Sequence, residues 1–215
     1  MVQNKILPVQ APDAISAPRR ADRRRAKRID EILQVATRLL SERGYAATNL
    51  DDIAEVLDLS KASLYHYFPS KEHLILSCLD RIGSETAKHL AAAADTSLPP
   101  PLRLHAAVRA QVLVLTRDES AGASLFLQDH GLPEAARVRL RALVDQHDQL
   151  FRSIIDEGIR SGEFHVADPR VARLLMHGAV NFIPSWYQSS RRMPPEHLAD
   201  IVADMVVQLF GSENP

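Results

Sequence analysis

Apolar residues return at intervals of three and four along nearly the whole chain, and no period-two alternation interrupts them. Ile29, Ile32, Leu33, Ala36, Leu39 and Leu40 mark one face of a first helix over residues 28–43, with Gly44 just past its end, where a left-handed cap is wanted. Thr48 stands as an N-cap ahead of Asp51 and Asp52, whose carboxylates suit the positive end of a second helix. Ile53, Ala54 and Leu57 form that helix's buried face. Leu59 fills a tight turn, Ser60 caps a third short helix with Leu64 and Phe68 inward, and Pro69 stops it. Ser70 opens a fourth helix over about residues 71–94, built on Leu74, Ile75, Cys78, Leu79, Ile82 and Leu90 and weakened in its middle by Gly83.

Residues 95–101, ending in three prolines, break the pattern, and everything behind them is again helical. Residues 102–117 carry Leu104, Val108, Val112 and Leu115, and a shorter segment spans about 120–130. A long helix from 133 to about 161 uses Leu140, Leu143, Val144, Phe151, Ile154 and Ile155 and closes at Gly162. Asp168 followed by Pro169 starts a helix that runs to about 188 through Val171, Leu174, Leu175, Gly178, Phe182 and Trp186, with a kink at Pro184. Pro194 and Pro195 open the last helix, whose Leu198, Ile201, Val202, Met205, Val206 and Leu209 form a broad apolar stripe before Gly211. No internal repeat is present, and the fold class is all-α.

Composition narrows this picture. In 215 residues, 46% are hydrophobic and 25% charged, the balance of a soluble globular protein, while aromatics at 5% favour helices over sheets. No apolar run approaches the ~18 residues of a membrane span, and no signal peptide opens the chain. A lone Cys78 excludes an intrachain disulfide and fits a reducing compartment, so a cytoplasmic location is expected. The net charge of −1 conceals a split: residues 1–71 hold twelve Lys/Arg against nine Asp/Glu, and the remainder is acidic. A polyanion partner is therefore expected for the front of the chain alone. Residues 1–27 read as a disordered arm, proline-bearing first and then densely cationic, with Arg23, Arg24 and Arg25 placed to track DNA phosphates.

The second and third helices have the layout of a helix-turn-helix, in which the second member enters the major groove. Lys61, Ser63, Tyr65, His66 and Tyr67 bring positive charge, hydroxyls and an imidazole together within two turns. Thr48 and Lys71, each at a helix N-terminus, are placed to meet a phosphate that the helix dipole already favours. Aromatics packed on neighbours in a small helical subdomain would be the alternative, but core helices seldom gather this many polar tips.

The run Thr48…Asp52–Ile53–Ala54…Leu59–Ser60…Leu64–Tyr65–His66–Tyr67–Phe68–Pro69–Ser70–Lys71, preceded by Ser41–Glu42–Arg43–Gly44–Tyr45, resembles the signature of the TetR/AcrR family of transcriptional regulators over residues 29–75. The resemblance implies a homodimer, usually a repressor, in which a ligand held by the C-terminal domain changes the spacing of two DNA-reading helices. Carried onto this chain, Thr48, Tyr65 and Lys71 are phosphate contacts, Lys61, Ala62, Ser63 and His66 read bases, and Asn49 does either. It also implies that the last two helices form a four-helix dimer interface, here with Gly178, Leu198, Ile201, Val202, Met205 and Leu209. The 198–209 stripe supports this independently, being too broad and apolar to leave in water.

The expected organisation is thus a basic arm (1–27), a three-helix DNA-binding domain (28–80) and a helical ligand-binding and dimerisation domain (81–215). Its partners are a double-stranded operator, a second copy and a small hydrophobic effector, with no membrane. Residues 158–187 more loosely resemble family members governing fatty-acid and steroid catabolism, which implies acyl-CoA effectors. The face His177, Asn181, Ser185 carries no charge, and only Arg170, Arg173, Arg191 and Arg192 stand near it, so another apolar or aromatic molecule remains an alternative. Gln111, Leu115, Phe126, Phe151, Phe182, Trp186 and Tyr187 are the candidate pocket walls, and His147 reads as a core histidine. His130, His165 and His177 lack the paired spacing of a zinc site, and no nucleophile–base–orienter trio or phosphate-cradling glycine loop appears, so neither a metal, a cofactor nor an enzyme is expected. An architectural DNA binder without an effector is the competing function.

Overall fold

The computed structural model describes residues 20–95, 97–116, 131–187 and 193–211. Every regular element among them is helical: α1 (Arg20–Ala47), α2 (Leu50–Val56), α3 (Lys61–Tyr67), α4 (Lys71–Leu90), a 3-10 turn (Ala91–Ala94), α5 (Pro100–Leu115), α6 (Glu134–Ser161), α7 (Pro169–Asn181), α8 (Ile183–Trp186) and α9 (Pro195–Leu209). The short segment expected over 120–130 lies outside the described residues.

Most helix ends lie where local chemistry puts them. Gly44, at φ 77° and ψ 165°, breaks α1. Ser60 and Ser70 accept from the backbone N–H of Ser63 and His73 to cap α3 and α4. Asp168 Oδ1 caps α7 by accepting from Arg170 N and Val171 N. Gly162 closes α6 in the left-handed region, at φ 79°.

Three expectations are corrected. Residues 20–27, assigned to a disordered arm, form the first two turns of α1, so Arg23, Arg24 and Arg25 stand on a helix. The N-cap of α2 is Asn49, whose side chain accepts from Asp52 N at 2.8 Å, and not Thr48. The helix begun at Pro169 stops at Asn181, and Pro184 lies in the first turn of the separate α8 rather than at a kink in one long helix.

The buried side chains fall into two clusters. One gathers Ile32, Leu40, Ile53, Leu64, Phe68, Ile75 and Leu79 around the three N-terminal helices and α4. The other packs α5 against α6, α7 and α9 through Leu104, Val108, Phe151, Ile154, Met176 and Val207. α6 belongs to both: its Ala136, Leu140 and Leu143 fill the first cluster and its Phe151, Ile154 and Ile155 the second. It crosses α4 closely at Gly83, where a Cβ would lie 2.4 Å from Leu143 Cδ2. Arg139 and Asp80 bridge the same two helices at 2.6 Å. Arg103, 3% exposed, joins the 3-10 turn to α6 by donating to Ala93 O and to Glu157. Such a buried guanidinium is tolerable because its donors find a carbonyl and a carboxylate.

Candidate nucleic-acid interface

α3 is short, and two buried residues hold it in place: Leu64 is fully buried and Phe68 3% exposed. The turn before it is shaped by Leu59 N donating to Ala54 O at 2.9 Å and by Asp58 in the left-handed region, φ 51°, which a short polar side chain tolerates better than most. Lys61, Ala62, Tyr65 and His66 are consequently exposed along one side, with Ser63 and Tyr67 half-buried. Arg25 of α1 reaches the same side, its Nη1 3.5 Å from His66 Nε2 and its guanidinium 5.4 Å from the Tyr67 ring centre. Lys61 is held by Asp51 at 2.6 Å, which raises its pKa. That carboxylate occupies the ammonium in this structure.

Lys71 sits in the first turn of α4, where the helix dipole disfavours a cation. It is half-buried over the Tyr45 ring at 4.1 Å, and desolvation lowers its pKa. An incoming phosphate would relieve both penalties. Thr48 behaves otherwise. It is 1% exposed, and its hydroxyl lies 2.9 Å from Gly44 O and 3.3 Å from Leu39 O, donating back into the α1 terminus. A side chain so placed cannot give its hydroxyl to a phosphate. The expected contact is corrected to an internal anchor of the α1–α2 corner.

In the C-terminal half, α7 buries Ala172, Met176 and Val180 together with Arg173 and carries an apolar face outward as well. Val171, Leu174, Leu175 and Phe182 lie on one outward face at helical spacing, between 51% and 66% exposed, with Gly178 open between them. Met205 and Leu209 of α9 are also exposed, Ile201 and Val202 are half-buried, and Leu198 is buried within the subunit's own core. Leu198 is therefore corrected from interface to core. Phe182 and Trp186 are likewise corrected: both are more than half exposed and do not line an interior pocket. Leu115 and Phe151 are core residues, Tyr187 donates its hydroxyl to Met193 O at 2.9 Å, and Phe126 lies outside the described residues. Gln111 is half-buried and donates to Asn181 Oδ1 at 2.9 Å. His147 packs against Phe151 and His177, and burial holds both imidazoles neutral, with pKa values lowered to about 4. Arg152, Arg170 and Arg173 meet Asp156 and Asp168 in an open cleft of about 540 Å³ beside the N-terminus of α7.

Two sequence profiles match the two halves. Residues 32–78 match the profile of bacterial regulatory proteins of the tetR family, and residues 97–210 match the tetracyclin repressor-like C-terminal domain. The chain belongs to the TetR family. The HTH-type transcriptional regulator YhgD of Bacillus subtilis is 25% identical over 190 residues, covering 82% of this chain and 93% of its own. The transcriptional repressor KstR2 of Mycolicibacterium smegmatis is 42% identical over 65 residues, 30% of this chain and 28% of its own. Among solved structures, AibR in complex with isovaleryl coenzyme A and operator DNA superposes with a TM-score of 0.75 at 28% identity, covering 86% of this chain and all of that one.

As a TetR-family regulator the chain carries the family's DNA-binding domain at its N-terminal end, where α2 and α3 lie. Among the described residues no helix is long and apolar enough to cross a membrane. The structure adds neighbours to this surface that the sequence did not single out: Arg25 against His66 and Tyr67, Asp51 against Lys61, and Tyr45 beneath Lys71. The Asn49 cap was legible in principle, since an Asn three residues before Asp52 is as good a cap as the Thr beside it.

Proposed function

We propose that this TetR-family protein is a repressor that holds a palindromic operator as a homodimer and releases it on binding a small hydrophobic effector, with acyl-CoA thioesters first among the candidates. Lys61, Ala62, Ser63 and His66 reach base edges in the major groove. Tyr65, Tyr67, Lys71 and Asn49 take phosphates, and Arg23, Arg24 and Arg25 extend that contact from the first turns of α1. The observation that carries the reading is the α3 surface: polar tips gathered outward on a helix anchored by Leu64 and Phe68, beside an arginine-rich helix end.

The outward face of α7 with Met205 and Leu209 of α9 supports dimerisation, because a contiguous apolar face of this breadth is costly in water. A two-fold interface would set two α3 helices at a fixed separation, which a palindrome requires. α6 supports the coupling: a helix shared by both cores cannot move in one without disturbing the other. The AibR complex with isovaleryl coenzyme A supports an acyl-CoA effector. In the cleft beside α7, Arg170 offers a cation for its phosphates, while Arg152 and Arg173 are paired with Asp148.

The test is competition. A palindromic site selected from random duplexes should outcompete bulk DNA by at least about a thousandfold at physiological salt. Equal competition would leave only the architectural reading. Leu175→Glu, which puts a charge in the middle of the apolar face, should yield monomers in sedimentation and lose operator affinity. A dimer that survives this change moves the interface elsewhere.

A further inference from the structure

α7 turns a row of polar residues inward, Arg173, His177 and Asn181, spaced four apart on one side of the helix. Arg173 is held by Asp148 of α6. His177 stacks between His147 and Phe151, at ring-centre distances of 5.6 and 5.0 Å. Its Nε2 lies 3.3 Å from Asp148 Oδ1, yet is buried without a hydrogen bond. Asn181 accepts from Gln111 Nε2 of α5, and Gln111 Oε1 is left buried with no partner. Three helices thus converge on a polar seam that packing alone would have filled with leucine, and two of its atoms are orphaned. Buried polar atoms in native proteins are nearly always paired, because an unmet acceptor carries its full desolvation penalty.

The chemistry of the seam is specific. The two imidazoles are neutral, the amides are neutral, and the nearby guanidinium of Arg173 is already bound to a carboxylate. A free carboxylate arriving there would find no unclaimed cation. A neutral donor would find a waiting acceptor in Gln111 Oε1. We infer that Gln111 Oε1 is the recognition point for an uncharged hydrogen-bond donor on the effector, an amide N–H or a hydroxyl next to an apolar chain, with Asn181 fixing the Gln111 amide. This rests on the reading of the C-terminal domain as the effector-binding half, and it narrows that reading to effectors uncharged at this end.

Three probes of one chain length separate the chemistries: octanamide carries the donor, N,N-dimethyloctanamide keeps the carbonyl without it, and octanoate carries a charge. Binding is followed by thermal shift and calorimetry on the full-length protein and on Gln111→Leu. Octanamide should bind the native protein about tenfold more tightly than either analogue, the worth of one hydrogen bond. Gln111→Leu should abolish the preference and lower the ligand-free melting temperature by no more than a few °C, because it removes the unpaired Oε1 together with the hydrogen bond to Asn181. Gln111→Met serves if the leucine variant does not fold.

Equal binding of octanamide and its dimethyl analogue, tighter binding of octanoate, a preference that survives in the Gln111 variant, or no binding by any probe each overturns the proposal. Operator release by acyl-CoAs is measured in parallel on both proteins. Release that is unchanged in the variant sinks the donor site and leaves the effector-responsive repressor standing. Absence of release by every compound sinks that repressor reading itself.

Discussion

Replacing Thr48 with valine preserves the shape of the side chain and removes one hydroxyl. The residue is 1% exposed and that hydroxyl lies 2.9 Å from Gly44 O, with Leu39 O at 3.3 Å. Losing the bond costs about 1 kcal/mol net, and more to the extent that the carbonyls are left unsatisfied. The methyl that replaces it is buried and returns up to about 0.8 kcal/mol. The balance is a loss of about 0.5–1.5 kcal/mol, which for a domain of this size is a fall of a few °C in Tm. Because the group faces the α1 terminus and not solvent, operator affinity well below Tm should change by less than about threefold. Urea denaturation followed by circular dichroism gives the first quantity, and fluorescence anisotropy on a labelled operator gives the second. A charge-assisted bond to phosphate would reverse the pattern: affinity down by roughly 10- to 150-fold, at about 1.5–3 kcal/mol, with the denaturation midpoint unmoved. That outcome would refute the internal-anchor argument and restore Thr48 to the DNA surface.

Lys71→Gln should do the opposite of Thr48→Val, lowering the salt dependence of operator binding by about 0.9 in log–log slope for each subunit. Stability should hold or rise slightly, since a desolvated cation leaves the positive end of α4; an unchanged slope would remove Lys71 from the phosphates. His147 and His177 titrate near 4 when folded and near 6.5 when unfolded, so their contribution to stability is complete above about pH 6.5 and is lost as pH falls toward 4. One ring alone accounts for on the order of 3 kcal/mol, the two are coupled, and His147→Phe should flatten the denaturation midpoint against pH over that window. Cys78 is fully buried and its thiol is pushed up to about 12 by desolvation, so a thiol reagent should label it only at the rate of unfolding. Prompt labelling of the native protein would contradict that burial.

Much of this architecture is local chemistry, and local chemistry is legible along a chain. The 3.6-residue period places α1 to α7 and α9 because burying one stripe of a helix needs that spacing, whatever it is buried against. Ser60, Ser70, Asp168 and Gly162 end or begin helices for reasons contained in a few neighbouring residues. The place of α3 was equally plain, since Leu64 and Phe68 turn one side of it inward.

What a stripe faces is another matter. Leu198 and Leu174 both occupy apolar positions in C-terminal helices, yet one lies in the subunit's core and the other is 57% exposed. Periodicity carries no information on which neighbour supplies the other surface. Thr48 and Asn49 are both good caps, and the path of the chain past Gly44 settled the competition by turning the Thr48 hydroxyl inward. The cationic residues 20–27 joined a helix because α1 could continue through them and lay Arg25 against His66, a contact 41 residues apart in sequence. The polar seam of Gln111, His147, His177 and Asn181 is invisible until α5, α6 and α7 are packed together. Hydrogen bonds between helices depend on their relative placement, which the packing of two cores along α6 sets.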